Sequence, residues 1–273
     1  MNSTLVTFPS GRVSGHSEIL GVVPVGGRHG LVVAQTPFHP LDHTWPDQPA
    51  DRGTIGGLPV ADCVTGAASG GEVRVGEDIP VRRGDDAWQW LVVHVTDRPL
   101  PVGEQVELVV DAAYREALSA GHSACHLAAL ALNAALADRW RKEVGLDALG
   151  HPDFDQSAIT SSRIGERASV DVYRLGKSLR KKGFAAEDLP VDEIATRVNG
   201  LLKTWVEADA PIWVDVPGPG LTARRTWRCG LPEGEASIPC GGTHVERTSR
   251  LGAVTVALEA GEQSLTMRTT VGS

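Results

Sequence analysis

Residues 111–145, DAAYREALSAGHSACHLAALALNAALADRWRKEVG, mark the point where the composition of the chain changes, and so they decide the fold. The stretch is rich in alanine and leucine and contains no proline, which predicts a helix from Asp111 to about Gly145. Gly121, just before the first histidine, is where we expect this helix to break or bend.

Upstream of this helix the chain consists of short apolar runs separated by Gly, Pro and Asp. Such runs, bounded by turn residues like Gly56-Gly57, predict β-strands. The predicted strands are residues 30–34, 72–75, 90–95 and 106–110. Residues 1–112 are therefore expected to form a small N-terminal β-barrel lobe.

Downstream, the pattern predicts a mixed domain over residues 113–273. Pro190 suits the first turn of a helix, and apolar residues recur at helical spacing from Ile194 to Trp205, which predicts a helix over 191–208 with a buried stripe. Strands are predicted at residues 169–173, 212–216, 223–229, 254–258 and 265–269, the last two as a hairpin that turns near Gly261. The predicted fold class is α+β, in which the β-barrel lobe is followed by a two-layer α/β domain.

The composition is that of a globular protein, with 41% hydrophobic and 22% charged residues in a chain of 273. The first residues show no basic stretch followed by an apolar one, and no run of about 18 apolar residues occurs. We therefore expect a cytoplasmic protein with no membrane partner.

A net charge of −8 argues against broad nucleic-acid binding, DNA included, because phosphate contacts need a basic surface. An RNA partner would need a local basic patch. The candidates are Arg174, Lys177, Arg180, Lys181 and Lys182, and a second group of Arg224, Arg225 and Arg228. The alternative for both groups is a solvated helix or strand face, which is the commoner use of such residues.

Two pairs of residues point to a metal site. His122 and His126 are four apart on the predicted helix, so both imidazoles project from one face and can reach one ion. Cys240 and His244 flank Gly241-Gly242-Thr243, where the glycines let the backbone turn so that both side chains face one point. Three histidines and a cysteine suit zinc, which binds imidazole and thiolate together. A chance histidine pair, a buried cysteine and a loop histidine are the alternatives, and they explain the four residues together poorly.

The remaining cysteines, Cys63, Cys125 and Cys229, are too few and too scattered for a disulfide framework in a chain of this size. Cys125 points about 100 degrees around the helix from His126. All three are therefore assigned to the core.

Four stretches of the chain carry a resemblance to a known family. HSACH at 122–126 and CGGTHVERTSRLG at 240–252 are similar to the HxxxH and CGGTH signature of the editing domains of alanyl- and threonyl-tRNA synthetases and of the freestanding alanyl-tRNA editing proteins. Upstream, TPFHP at 36–40 and QPADRG at 48–53 resemble the family's TPFYP and QPxDxG stretches. The resemblance covers nearly the whole chain.

The resemblance implies that residues 113–273 form a zinc-containing editing domain that hydrolyses the ester joining a wrong amino acid to the 3′ end of a tRNA. The usual substrate in the family is serine or glycine on alanine tRNA. The implied zinc ligands are His122, His126, Cys240 and His244. Gln48 and Thr36 match catalytic positions beside the site, and Gly242 and Thr243 match substrate-binding ones. The alternatives are a loop amide for Gln48 and a turn residue for Thr36.

The chain departs from the family pattern in two places. Where the family usually has a run of glycines, this chain has Asp42-His43-Thr44-Trp45-Pro46-Asp47. The arginine often found before the first histidine is missing from residues 118–121. We expect His43, Trp45 and Asp47 either to reshape the substrate pocket or to form an exposed flap, so the substrate could differ from that of the family.

Zinc suits the implied reaction because it lowers the pKa of bound water toward about 7 and stabilises a developing oxyanion. Ser123, Ala124 and Cys125 lie between the two histidines where a zinc peptidase would carry a glutamate. Proton transfer is left to water, a tRNA ribose hydroxyl or a residue such as Gln48. Four protein ligands normally close a tetrahedral site, so either the ion becomes five-coordinate or one ligand is loose, and we expect that ligand to be His244.

Three functional hypotheses follow. The first is a trans-editing deacylase that acts on serine or glycine attached to alanine tRNA. The second is a specialised deacylase of the same family that removes a threonine-like amino acid, as a fluorothreonyl-tRNA deacylase does. The third is a non-catalytic, zinc-stabilised RNA-binding module. The sequence does not predict an oligomeric state.

Overall fold

The computed structural model describes residues 2–272, which form two compact units. The first unit contains residues 2–116, 216–225 and 241–243. The second contains residues 117–215, 226–240 and 244–272. The units thus alternate along the chain, whereas the sequence suggests a single boundary after residue 112; the two functional domains drawn at that boundary stay a prediction.

The first unit is built on a curled antiparallel sheet. Its strands are β1 (Leu5–Val6), β2 (Ser14–Val25), β3 (Arg28–Val33), β4 (Gln35–Thr36), β5 (Gly53–Ile55), β6 (Leu58–Val60), β7 (Asp62–Ser69), β8 (Glu72–Val75), β9 (Gln89–Thr96) and β10 (Gln105–Val110). Eight of them pair in the order β6-β5-β10-β2-β3-β9-β7-β8, while β1 and β4 form a parallel pair. A bulge between Ile19 and Gly21 bends β2, which pairs with β10 before it and with β3 after it. The resulting half-barrel agrees with the predicted β-barrel lobe.

The second unit combines helices with two smaller antiparallel sheets. Its elements are α1 (Ala112–Ala135, whose first turn belongs to the first unit), α2 (Phe154–Ala158), β11 (Ile159–Gly165), β12 (Ala168–Arg174), α3 (Lys177–Lys181), α4 (Val191–Glu207), β13 (Ile212–Asp215), β14 (Thr226–Leu231), β15 (Gly234–Pro239), β16 (Val254–Ala260) and β17 (Ser264–Val271). The sheets have the orders β11-β12-β17-β16 and β13-β14-β15. This arrangement confirms the predicted α+β class.

The apolar stripe of α4 lies in the core, as its spacing predicts. Ile194, Val198, Leu202 and Trp205 are each at most 1% exposed, and the helix packs against β16. Burial of one such side chain contributes about 1.5–3 kcal/mol, so this face fixes the helix firmly. Among residues 2–272, no helix combines the length and apolar character needed to span a bilayer.

Helix α1 ends at Ala135, well before the predicted end near Gly145. The Asn133 amide donates to Asp147 at 3.0 Å, and its oxygen accepts the backbone N–H of Asp155 at 2.9 Å. Just beyond, the N–H of Arg141 donates to a distant carbonyl, that of Gly183. The predicted end was wrong because the backbone N–H of Arg141 and the carbonyl of Arg139, which would prolong the helix, bond to Gly183 and Ala185.

Gly121 does not break α1, which runs through it. A Cβ atom at this position would lie 2.4 Å from the carbonyl oxygen of Gly165 and 2.7 Å from that of Ala168. The glycine therefore serves the close approach of the β11–β12 hairpin to the helix. The predicted break was wrong, because what requires the glycine is a tertiary contact and no special backbone angle, and the alternative of a bend stays a prediction.

Candidate metal centre

The four predicted ligands converge within the second unit. His122 and His126 lie one turn apart on α1, Cys240 follows β15, and His244 comes four residues later. One ligand atom from each residue can be chosen so that all four lie within 4.8 Å of one another. The Cys240 sulfur is 3.4 Å from Nε2 of His122 and 3.3 Å from Nε2 of His244. Zinc bond lengths of about 2.3 Å to sulfur and about 2.0 Å to nitrogen give a tetrahedral S···N separation of about 3.5 Å.

Burial keeps the two helical histidines neutral. It lowers the pKa of His122 to about 3. It also lowers the pKa of His126 well below the usual value, and the neighbouring His122 lowers it further. Nε2 of His126 is buried and, among the described residues, has no hydrogen-bond partner. A bound cation would satisfy this nitrogen, so the four residues could hold a metal ion, and the donor set is compatible with zinc.

Ser123 joins the helical and loop halves of the metal centre. Its side chain is fully buried, and Oγ accepts the backbone N–H of Val245 at 3.1 Å. The same Oγ lies 3.2 Å from Nδ1 of His244. A histidine that binds a metal through Nε2 carries its proton on Nδ1, which would then donate to Ser123. The sequence gives no sign of this role of Ser123, because its partners lie more than a hundred residues away.

Gln48 is bonded to the Gly-Gly-Thr segment, and all of these residues belong to the first unit. Its amide nitrogen donates to Oγ1 of Thr243 at 3.0 Å, and its oxygen accepts the N–H of Thr243 at 3.0 Å. Gln48 is 1% exposed and Thr243 is 5% exposed. This reciprocal pair fixes the residue that immediately precedes His244 in the sequence. The predicted roles of Gln48 in catalysis and of Gly242 and Thr243 in substrate binding stay predictions.

Thr36 is fully buried in the first unit. Its Oγ1 lies 2.9 Å from Nε2 of His94 and accepts the N–H of Phe38 at 3.1 Å. Nδ1 of His94 lies 3.1 Å from the Leu31 carbonyl, a contact in which the imidazole donates. Because burial lowers the pKa of His94 to about 4, that ring is neutral and its Nε2 accepts from Thr36. The hydroxyl of Thr36 is therefore occupied by hydrogen bonds within the first unit, and its predicted catalytic role stays a prediction.

The three candidate substrate-binding residues of the loop from Asp42 to Asp47 have different environments. The His43 ring stacks on Trp90 with a centroid distance of 6.1 Å. Trp45 is 47% exposed. Burial raises the pKa of Asp47 to about 6, although its carboxylate accepts the N–H of Gln48 at 2.7 Å. The loop thus presents an aromatic side chain to solvent and carries an acid that titrates near neutrality.

A buried ion pair explains the upstream motifs and was not foreseen from the sequence. Arg115, in the first turn of α1, donates to the Asp51 carboxylate through two nitrogens and to the Pro37 carbonyl at 2.8 Å. Asp51 also accepts the N–H of His39. Asp51 is 2% and Arg115 6% exposed. The TPFHP and QPADRG stretches are therefore tied to the start of the helix, a long-range link that no local pattern reveals.

The other three cysteines lie in the core, as expected. Cys63 and Cys229 are fully buried, Cys125 is 7% exposed, and no disulfide forms. Cys125 nonetheless has polar neighbours, because its thiol donates to the Asp171 carboxylate at 3.4 Å. Asp171 also accepts the hydroxyls of Ser162 at 2.6 Å and Ser169 at 2.9 Å.

The chain is similar to part of a class of tRNA-charging enzymes. No protein-family model matches it. It is 28% identical over 247 residues to an alanine–tRNA ligase of Halorubrum lacusprofundi, an alignment that covers 90% of this chain and 23% of the ligase. An alanine–tRNA ligase of Anaeromyxobacter sp. is 31% identical over 82% of this chain and 21% of the ligase. One of Synechococcus sp. is 25% identical over 85% of this chain and 22% of the ligase. The chain thus spans less than a quarter of the length of these curated relatives.

Proposed function

We propose that this protein is a zinc-dependent hydrolase that cleaves the ester of mischarged aminoacyl-tRNA. The observation that carries the proposal is the convergence of His122, His126, Cys240 and His244 in a chain similar to a part of alanine–tRNA ligases. Hydrolysis of this ester needs no ATP. Such an enzyme would act in the cytoplasm, where translation takes place.

The chain's own residues prepare the centre for this chemistry. Bound zinc would supply an activated water and stabilise the oxyanion that forms at the ester carbonyl. His122 and His126 are neutral and so offer lone pairs at physiological pH. Ser123 would hold His244 in the tautomer that binds through Nε2, while Gln48 fixes the preceding Thr243. Positioning of this kind avoids reorganisation during the reaction.

The Ser123 contact also bears on the fourth ligand. A loose His244 would lose the hydrogen-bond partner of its Nδ1 in a partly buried setting, which costs free energy. We therefore propose, against the expectation that His244 is the loose ligand, that His244 would hold the metal together with His122, His126 and Cys240. Zinc X-ray absorption of the loaded protein tests this, because the number of nitrogen atoms bound to zinc should be at least three.

Two substrates are proposed. Serine or glycine on alanine tRNA is the first, and the similarity to alanine–tRNA ligases supports it. A threonine-like amino acid is the second, and it is supported by the loop from Asp42 to Asp47, which replaces the run of glycines usual in the family. The third hypothesis, a non-catalytic RNA-binding module, is the outcome if no ester is cleaved.

The deciding experiment mixes the purified protein with a panel of labelled aminoacyl-tRNAs, with and without a metal chelator. We expect chelator-sensitive hydrolysis of one substrate class, and hydrolysis of none above background would refute the deacylase. Cys240→Ala should bind zinc poorly and lose at least about 100-fold in turnover. Cys229→Ala is the matched control, because it removes a buried thiol outside the ligand set. Equal turnover in both variants would contradict the metal assignment.

A further inference from the structure

A basic surface in the second unit is not used by the proposed chemistry. Its eight side chains come from two segments, residues 139–142 and 174–182, and neither segment contains an acidic residue. We call them the basic surface: Arg139, Arg141, Lys142, Arg174, Lys177, Arg180, Lys181 and Lys182. All except the half-buried Arg139 are exposed.

The two segments lie against each other, which makes the surface continuous. The backbone N–H of Arg141 donates to the carbonyl of Gly183 at 2.9 Å. The ammonium group of Lys142 donates to the carbonyl of Lys181 at 3.1 Å. Helix α3 carries Lys177 to Lys181 beside this junction.

None of the eight cations of the basic surface forms an ion pair with another of residues 2–272, although Arg180 borders a pocket that Glu187, Asp188 and Glu262 also line. The chain has five lysines, four of which lie here, while the fifth, Lys203, lies 3.9 Å from Glu207. Concentrated like charges repel one another, and an anionic partner removes that cost. The chain has a net charge of −8, yet four of its five lysines are concentrated on this one surface.

The second basic group, Arg224, Arg225 and Arg228, differs from the basic surface in how two of its members are bonded. Arg225 is 4% exposed and donates to the carbonyl of Gly220 at 2.7 Å. Arg228 pairs with the carboxylates of Asp215 and Glu235. Arg225 and Arg228 are therefore bonded within the chain while Arg224 is exposed, and an RNA-binding role for this second group stays a prediction.

We propose that the basic surface binds the phosphate backbone of tRNA, an inference that rests on the proposed deacylase function. A lysine ammonium is a flexible point charge suited to phosphates at varied positions. Helix α1 continues for nine residues from His126 to its end at Ala135, which is roughly 14 Å at about 1.5 Å per residue, and Arg139 ends the short 3-10 turn that follows. The roughly four unpaired nucleotides at the 3′ end of a tRNA span about 14 Å when stacked at about 3.4 Å each. A tRNA whose 3′ end reaches the metal centre therefore has stem phosphates at about the distance of the basic surface.

Lysine footprinting tests the location directly. The protein is acetylated with and without excess deacylated alanine tRNA, and each lysine is quantified by mass spectrometry. We expect tRNA to protect Lys142, Lys177, Lys181 and Lys182 at least threefold, while the exposed Lys203 reacts equally in both samples. Equal modification of all five lysines in the presence of bound tRNA would overturn the proposal.

Neutral variants test the energetics. Combined Lys177→Gln, Lys181→Gln and Lys182→Gln should weaken tRNA binding at least tenfold and reduce the slope of log K against log salt by up to about 3. Lys203→Gln is the matched control and should keep the wild-type Kd. An unchanged thermal midpoint in the triple variant shows that the fold is intact, and an unchanged Kd and slope would refute the basic surface.

The failure of this inference is distinguishable from that of the deacylase. Ester hydrolysis by the wild-type protein combined with an unchanged Kd in the triple variant refutes the basic surface alone. Protected lysines without any ester hydrolysis refute the deacylase and leave RNA binding in place. Loss of binding to phosphatidylserine vesicles in the triple variant, with tRNA binding unchanged, would assign the surface to a membrane and overturn the proposal.

Discussion

Replacing Ser123 by alanine tests how the metal centre is held together. The change removes the acceptor for Nδ1–H of His244 and leaves the buried N–H of Val245 unpaired. Loss of a group that orients a metal ligand costs about 10- to 100-fold in metal affinity, or about 1.4–2.7 kcal/mol. The unpaired amide costs a further 1–3 kcal/mol or so of unfolding free energy, with or without metal. The two effects are therefore separable.

Competition with a chromophoric chelator measures the zinc affinity of Ser123→Ala, and thermal unfolding with and without zinc measures both effects. The stabilisation that zinc adds should fall by the same 1.4–2.7 kcal/mol or so that the affinity loses. Ser123→Thr keeps the hydroxyl and should recover the affinity. Cys125→Ala, on the same turn but outside the ligand set, should bind zinc normally. Zinc affinity of Ser123→Ala within twofold of wild type would refute the reasoning.

Three further substitutions test the scaffold by denaturant unfolding. Gly121→Ala should lose about 1–3 kcal/mol, because its Cβ would lie 2.4 Å from the carbonyl oxygen of Gly165; wild-type stability would contradict the close approach. Asp51→Asn should lose about 3–5 kcal/mol by leaving the buried Arg115 without its counter-charge, and a loss below 1 kcal/mol or so would contradict a buried pair. The pKa of Asp155 is raised from 3.8 to about 6 by burial, so its contribution is fully present below pH 3.8 and is lost as pH rises through 6. Asp155→Asn should therefore gain up to about 3 kcal/mol at pH 8 and flatten the profile between pH 4 and 6, and an unchanged profile would contradict the raised pKa.

The sequence predicts the parts of this protein that depend on local pattern. Histidines four apart on a helix share a face whatever else the chain does, so the pairing of His122 with His126 follows from helical geometry alone. The stripe of α4 and the hairpin of β16 and β17 follow from periodicity in the same way. Even so, the strand expected from residue 223 begins at Thr226.

The parts that could not be predicted depend on contacts between distant residues. The end of α1 is set by partners of Asn133 and Arg141 that lie well downstream, and the need for Gly121 comes from the carbonyl groups of a hairpin. Ser123 can position His244 only because His244 and Val245 lie against the helix in the folded chain. Composition and spacing carry no information about such long-range contacts, which the burial and the hydrogen bonds of the folded chain show directly.

The distribution of the four thiols gives the protein a built-in reporter of metal occupancy. Cys63, Cys125 and Cys229 are buried, and only Cys240 is partly accessible. A thiol reagent added to the native, metal-free protein should therefore modify one cysteine per chain, and bound metal should suppress that reaction. Counting modified thiols in a preparation would then give the fraction of molecules that carry an ion, without removing the metal or unfolding the chain.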